Sequence, residues 1–544
     1  MLPLAPDYYR RNFRFLIDFV QRYRAHLIDP ELSDFLARFE ALTPRAQCLY
    51  VRLLTRKGTG FRSDKLRYEE IGDPLPHLRV LEEAEMVMLD AEVPVTELGR
   101  LLLLGELRAL SALRPYLEGR PSKGALLANL QESELTPQPF SAWWPDAPFQ
   151  LVFQKQEALV ERLQLLFFGN LHQSLSEFVV ATLAHVRYPE VPLTPTSFPF
   201  QHADSVIRYQ ERERLAQSWA TGEIDGTEWA ARLRVPDTEA KLERQRQRHA
   251  FTLARQYERE GEEEIALSLY QGCQYGEARE RRLRLYFARG DHARALSTAL
   301  AMQALPQSEQ ERVVARRFLG RLARHLWIPK AKADSPRPDT EHRTLQWHGP
   351  VEEAVSEVLR GEGAQVWHTE NALINGVAGL LLWPVIHAPI TGAFVQPFQH
   401  RPLDLYHPDF LPRRRTQLDN ELALWRSYSP ERFEASLLAR YQKYQGIRCA
   451  LVQWNRLPEA ALKAAIPRLS PTQWLQLVAY LMGDLKARRS GQPDLLAVND
   501  DGLSLIEVKG PGDTLRDHQQ RWLTELSRIG VSNRLLWVRR AEHK

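Results

Sequence analysis

The chain has 544 residues, too many for a single hydrophobic core, and about three or four domains are expected from that length. Its hydrophobic share of 44% and charged share of 26% are those of a globular protein, and 72 Lys+Arg against 68 Asp+Glu leave a net charge of only +4. That balance excludes a global field as the means of holding a polyanion, so any nucleic-acid contact must come from local basic patches.

The longest apolar run, Val377 to Ile386, is interrupted by Pro384 and is too short to cross a bilayer. The opening residues MLPLAPDYYRRNFRF lack the basic, apolar and small-residue segments of a secretion signal. No membrane partner is expected, and the location read from the sequence is cytoplasmic, on the nucleoid if the source is bacterial. Cys48, Cys273 and Cys449 lie far apart and read as reduced thiols rather than a disulfide framework or zinc site. No motif asks for a small-molecule organic cofactor.

FRFLIDFVQRYRAHL and SDFLARFEALTPRAQCLYVRLLTRKG place apolar residues at helical spacing with arginines and lysines between them. They predict a small helical, winged-helix-like DNA-binding domain over 1–92. Residues 95–130 read as two amphipathic helices joined by a Gly-Arg-Pro-Ser-Lys-Gly turn. The pattern resembles a SAP motif, a module that contacts the DNA backbone. It makes Lys123 a candidate phosphate ligand within a region over 93–190, although a plain helical hairpin with a basic turn has the same pattern.

From 200 to 328 the chain is arginine-rich and helical, and Tyr257, Gly261, Ala266 and Leu267 recur as Tyr286, Gly290, Ala295 and Leu296, each displaced by 29 residues. Small residues at fixed offsets let paired helices approach closely, so a tetratricopeptide-like array is expected, with an irregular bundle as the alternative. Proline-rich stretches near 135–148, 188–200 and 328–339 punctuate these regions.

The last region, 340–544, mixes helix and strand. NALINGVAGLLLWPVIH is apolar nearly all round and predicts a buried helix, and the order strand, strand, helix, strand that follows is that of a mixed α/β domain. Asn499-Asp500-Asp501-Gly502 is a turn signal between two β-rich runs. The simplest register therefore sets Val498 opposite Leu503 and Asp494 opposite Glu507.

Facing side chains share one side of a sheet with Cβ atoms about 4.5–5.5 Å apart, and the period of two adds Lys509 to that side. The rest of the face is Leu496, Val498, Leu503 and Leu505, so two carboxylates converge beside an apolar surface. Like charges so placed repel, and they require a shared proton or a cation. Two carboxylates with open water positions suit a hard divalent ion, Mg²⁺ or Mn²⁺, beside which an ammonium orients a water or offsets developing negative charge. The reaction class is phosphodiester hydrolysis. Glu239-Ala-Lys241 and Asp484-Leu-Lys486 share the Glu/Asp-x-Lys spacing, but the first lies in a helical segment and the second has no partner strand before it. The bland alternative is a surface hairpin whose lysine neutralises two acids.

Pro493-Asp494, then Glu507-Val508-Lys509 with Gly510-Pro511, then Gln519 and Trp522 on the next helix, resemble the PD-(D/E)xK restriction-endonuclease-like core in its virus-type replication-repair (VRR-NUC) form. AQCLYVRLLTRKG at 46–58, LRYEEI at 66–71, GLLLWPVIH at 379–387 and QHRPLDL at 399–405 extend the resemblance along most of the chain, to the Fanconi-associated nuclease family. The implied fold is multidomain, mainly α in its first two-thirds, with a carboxyl-terminal mixed α/β nuclease domain.

The resemblance implies a third acid, Glu370, ahead of the hairpin. Glu370, Asp494 and Glu507 would then ligate one or two Mg²⁺ or Mn²⁺ ions, with the Val508 carbonyl as an extra ligand and Lys509 assisting the attacking water. Gln519 would lie near that lysine, and Gln399 matches a glutamine of the family's Q-x-x-P-L-D-L segment, a candidate second layer. Lys486, Arg488 and Arg489 ahead of the Pro-Asp strand, with His518 and Arg521 after it, are candidates for binding a 5′-end phosphate. The implied activity is 5′-flap cutting with 5′-to-3′ exonuclease action on branched or flapped DNA, in interstrand crosslink repair. The three cysteines do not supply the ubiquitin-binding zinc finger of the family's eukaryotic members. Another nuclease of the same core, of restriction or recombination type, and a non-catalytic helical-repeat scaffold are the competing readings.

Overall fold

Five helices start in the same way, with a proline at the first position behind a side chain that caps it: Asp29-Pro30, Thr43-Pro44, Asp73-Pro74, Ser429-Pro430 and Ser470-Pro471. Proline loses no helical hydrogen bond there, and the oxygen before it accepts a backbone N–H that would otherwise have no partner. Such dipeptides fix helix entry locally. The structure is a computed structural model and describes residues 5–541 apart from 59, 120, 132, 134, 174, 176–177, 179–185 and 326–337. Two compact units result: residues 1–184 with 200–211, and 185–199 with 212–544.

In the first unit, helices Tyr8–Arg24, Pro30–Ala41, Pro44–Leu54 and Pro74–Glu83 bury Phe13, Phe35, Phe39, Leu49 and Leu81. Their companion is a three-stranded antiparallel sheet in which Leu151–Gln154 lies between Gly60–Arg62 and Val87–Leu89. The helical domain expected over 1–92 is thus completed by a strand from beyond its expected boundary. Where two helices were expected over 95–130, there are three, Val95–Leu101, Leu104–Ala109 and Lys123–Gln131, with a 3-10 turn Ser111–Tyr116. Glu106 accepts the Leu103 N–H and starts a helix there, while Pro115 holds the next segment to a 3-10 turn. Of the expected turn, Arg120 lies outside the described residues.

In the second unit the repeat is visible as helix pairs. Ala240–Glu260 packs on Glu263–Gln271, and Ala278–Ala288 on His292–Ala304. Gly261 and Gly290, 29 residues apart, both take φ near +80° (+84° and +76°) just past the first helix of each pair, where a side chain would strain the turn. Ala266 and Ala295 are fully buried at the same offset. The boundary expected at 328–339 lies mostly outside the described residues.

The nuclease-like region is built on a five-stranded sheet in the order Asp339–Leu345, Asn533–Arg540, Gly502–Lys509, Leu495–Asn499, Gln365–His368. Asn533–Arg540 runs parallel to both its neighbours, joined to Gly502–Lys509 through the crossover helix Asp517–Ile529, and the remaining pairs are antiparallel. Both faces are covered. Leu496, Val498, Leu503 and Leu505 meet Trp522 and Leu526, while Leu495, Ala497, Ile506 and Val508 meet Val355 and Leu359 of the helix Val351–Gly361. The expected buried helix is Leu373–Leu381, every residue of it buried. Among the described residues, no helix is long and apolar enough to cross a membrane.

Candidate metal and nuclease site

The hairpin forms in the register that the turn dictates. Asn499 Oδ1 accepts the Asp501 and Gly502 N–H groups at 3.1 Å each, and Val498 pairs with Leu503, Leu495 with Ile506. One step further, at the end of the ladder, Asp494 stands opposite Glu507, and its Oδ2 accepts the Val508 N–H at 2.8 Å. Glu507 is 1% exposed; its Oε1 accepts Lys509 Nζ and Gln519 Nε2, both at 2.5 Å. Its Oε2 is buried and has no hydrogen-bond partner among the described residues.

The segment leading into Asp494 is held on three sides. Trp522 Nε1 donates to the Arg488 carbonyl at 2.9 Å, Asn375 Nδ2 to the Arg489 carbonyl at 2.8 Å, and Gln492 Nε2 to Asn375 Oδ1 at 2.7 Å. Asn371, at φ +54°, accepts the Gln492 N–H and donates to Glu370 Oε1 at 3.0 Å. Gly491 is required at its place, because a Cβ there would lie 2.2 Å from the His518 ring. The polar residues Asn371, Asn375 and Gln492 were missed from sequence, although amides inside the apolar run NALINGVAGLLLW were a signal that something polar is bonded there.

Glu370 joins Asp494 with a residue not anticipated: one ligand atom each of His368, Glu370 and Asp494 lie within 4.8 Å of one another. Burial pushes the Asp494 carboxyl above the usual range, and Glu370 and Glu352 add to the rise against the Val508 N–H and the Lys509 ammonium. Burial likewise raises Glu507, with Asp494 and Glu370 adding to it. Converging acids whose proton affinity is raised by burial and by one another, one with a buried oxygen left over, are a donor set that fits a hard divalent cation.

Two expected site residues have other tasks. Arg488 is 8% exposed, ion-paired with Glu309, bonded to the Tyr480 carbonyl and stacked 4.0 Å from the Tyr480 ring centroid. With both terminal nitrogens engaged, by the Tyr480 carbonyl and by Glu309, and the side chain buried, this guanidinium is not presented to a phosphate. Gln399 is 5% exposed and spends its amide on the backbone of its own loop, accepting from Val395 and Gln396 and donating to Ala393 and Arg401. None of these hydrogen bonds reaches Glu370, Asp494 or Glu507. Lys486 and Arg489 are exposed, with Arg489 over the Tyr406 ring at 4.9 Å, and His518 and Arg521 are half-buried on the crossover helix. Lys123 is half-buried in the first unit and donates to the Leu102 carbonyl at 2.7 Å.

A mixed sheet covered by helices, carrying Asp at one strand start and Glu-x-Lys on the next strand, defines a metal-dependent nuclease of the PD-(D/E)xK class. Family profiles described as "FAN1, HTH domain" and "VRR-NUC domain" match residues 7–88 and 428–540. The chain is 34% identical to the Fanconi-associated nuclease 1 homolog of Pseudomonas aeruginosa, over 95% of this chain and 93% of the relative. To the homolog of Arabidopsis thaliana it is 25% identical, over 98% of this chain and 67% of the relative. It also superposes on the crystal structure of paFAN1 bound to 2-nucleotide 5′-flap DNA with a gap, with a TM-score of 0.86 at 32% identity over the whole of both chains. The chain belongs to the Fanconi-associated nuclease family and is a DNA nuclease.

Proposed function

We propose that this nuclease cuts branched DNA bearing a 5′ flap and degrades strands in the 5′-to-3′ direction, as a step in interstrand crosslink repair. The observation that carries the reading is the likeness over full length to a protein crystallised on 5′-flap DNA. Work on chromosomal DNA would put it in the cytoplasm, on the nucleoid if the source is bacterial. Glu370, Asp494 and Glu507 would hold Mg²⁺ or Mn²⁺, as one ion or a pair, with the Val508 carbonyl as a further ligand. When bound, such an ion supplies Lewis acidity to a phosphoryl oxygen and acidity to a ligated water.

The chain's own residues do the rest. Lys509, 7% exposed and fixed against Glu507, orients the attacking water and offsets negative charge as it develops. Gln519 holds the Glu507 oxygen that faces the lysine, keeping both in place. Exposed Lys486 and Arg489, with His518 and Arg521, receive the phosphate of a 5′ end. The helical modules over 1–92 and 93–190, with Lys123, and the repeats over 200–328 grip the duplex and deliver a strand to the nuclease domain over 340–544.

The test compares cleavage of matched 5′-flap, 3′-flap and blunt duplexes by the full chain with Mg²⁺ or Mn²⁺. Cutting of the 5′ flap that vanishes in Asp494→Ala supports the reading. Sequence-specific cutting of intact duplex gives the restriction-type alternative instead, and binding without metal-dependent cutting gives the scaffold.

A further inference from the structure

We infer that His368 is a nitrogen ligand of the divalent cation, acting beside Glu370 and Asp494 and biasing the site toward Mn²⁺ over Mg²⁺. The inference rests on the metal-binding reading above. His368 closes the edge strand Gln365–His368 and pairs with Leu495, the residue after Asp494. Thr369, buried beyond it, continues the contact by donating its N–H to the Asp494 carbonyl at 3.0 Å. Strict alternation would turn His368 and Glu370 away from Asp494. The ladder stops at His368, the chain turns through Asn371 at φ +54°, and the three ligand atoms come within 4.8 Å.

That spacing is close to what one ion demands: oxygens and nitrogens at about 2.1 Å from a common centre lie up to about 4.2 Å apart. An independent sign of an absent ligand lies across the hairpin, where Glu507 keeps a buried oxygen without a partner among the described residues. Charge also favours an imidazole. Three carboxylates, the Lys509 ammonium and one divalent ion already sum to zero, so a neutral donor adds a bond without adding repulsion. Nitrogen is a softer donor than carboxylate. Mg²⁺ takes oxygen and keeps its waters, whereas first-row ions accept imidazole.

The experiment titrates Mn²⁺ into the full-length protein, counts bound ion by electron paramagnetic resonance, and reads ¹⁴N coupling by electron spin echo modulation. Wild type should show ¹⁴N coupling. His368→Ala should lose it and bind Mn²⁺ on the order of tenfold more weakly, with Mg²⁺ affinity changed less. His368→Asp should restore binding without the nitrogen signal, and His518→Gln, at the histidine packed against Gly491, should retain the signal. If Mn²⁺ binds wild type without ¹⁴N coupling, or the coupling survives His368→Ala, the ligand assignment falls while the metal site stands. If Mn²⁺ binding is indifferent to Asp494→Asn, the metal-binding reading itself falls.

Discussion

The helical repeats and the catalytic hairpin both draw acids out of water, the hairpin more deeply, and treat them in opposite ways. Burial pushes the Glu258 carboxyl up, but hydrogen bonds from Arg281 and Tyr270 outweigh it and hold the group below its usual range. Glu213 is likewise lowered against burial by His249, Gln245 and Arg248. At Asp494 and Glu507 burial wins, because Asp494 accepts one backbone N–H, Glu507 accepts one lysine and one amide on a single oxygen, and the neighbouring carboxylates raise one another. Desolvation is common to both regions. The count of donors decides whether an acid is structural or held ready for a cation.

The largest way to break that contrast is to remove the acids' charge. Asp494→Asn or Glu507→Gln should lower single-turnover flap cleavage by at least about 10³-fold while DNA affinity holds within a few-fold. Glu258→Gln should leave cleavage intact, and its effect should appear in thermal unfolding instead. Arg488 sharpens the same point. Its pairing with Glu309, on the helix Glu309–His325, makes Arg488→Ala a stability variant costing about 3 kcal/mol, read by denaturant unfolding. Lys486→Ala should leave stability unchanged and reduce the salt dependence of DNA binding by about one ion.

The pH response should differ in sign between the regions. Asp494 and Glu507 titrate higher when folded than when unfolded. Between the ordinary carboxylate range, about 4, and their raised values, the folded chain therefore binds more protons than the unfolded one. In EDTA, stability should accordingly fall as pH rises through that window. Asp494→Asn should flatten the fall and raise the midpoint at pH 8 by about 4 °C. Saturating Mn²⁺ should abolish it in wild type. Glu258, held low, contributes stability above its unfolded value that is lost as pH drops through the acid range.

What could be read from the sequence followed the range of the forces involved. The hairpin register, its apolar face and the Asp494–Glu507–Lys509 patch follow from a turn and a period of two. Gly261 and Gly290 mark the repeat because each ends a helix. The strand Asp339–Leu345 was invisible: its residues, DTEHRTL, are exposed or half-exposed at an edge and carry no apolar alternation. Leu151–Gln154 pairs with strands about 60 to 90 residues earlier, a non-local choice that no window contains. His368 was missed because alternation aims it the wrong way, and only the end of the ladder brings it round. Arg488 was misread because a basic residue beside a site looks like a phosphate ligand until its burial and its partner Glu309 are known.

The smallest expected effect tests whether geometry alone could account for the contrast. Arg415 and Asp419 sit one helical turn apart at 2.7 Å, as short as many buried pairs, yet their side chains are 76% and 53% exposed. Water and salt screen both ends, and ordering two long side chains offsets most of the attraction. Arg415→Ala should move the unfolding midpoint by less than about 1–2 °C, with no dependence on Mn²⁺. A shift as large as that of Arg488→Ala would mean that contact distance, rather than burial and the number of donors, sets what a charge contributes. The division between the acids of the repeats and those of the hairpin would then lose its physical basis.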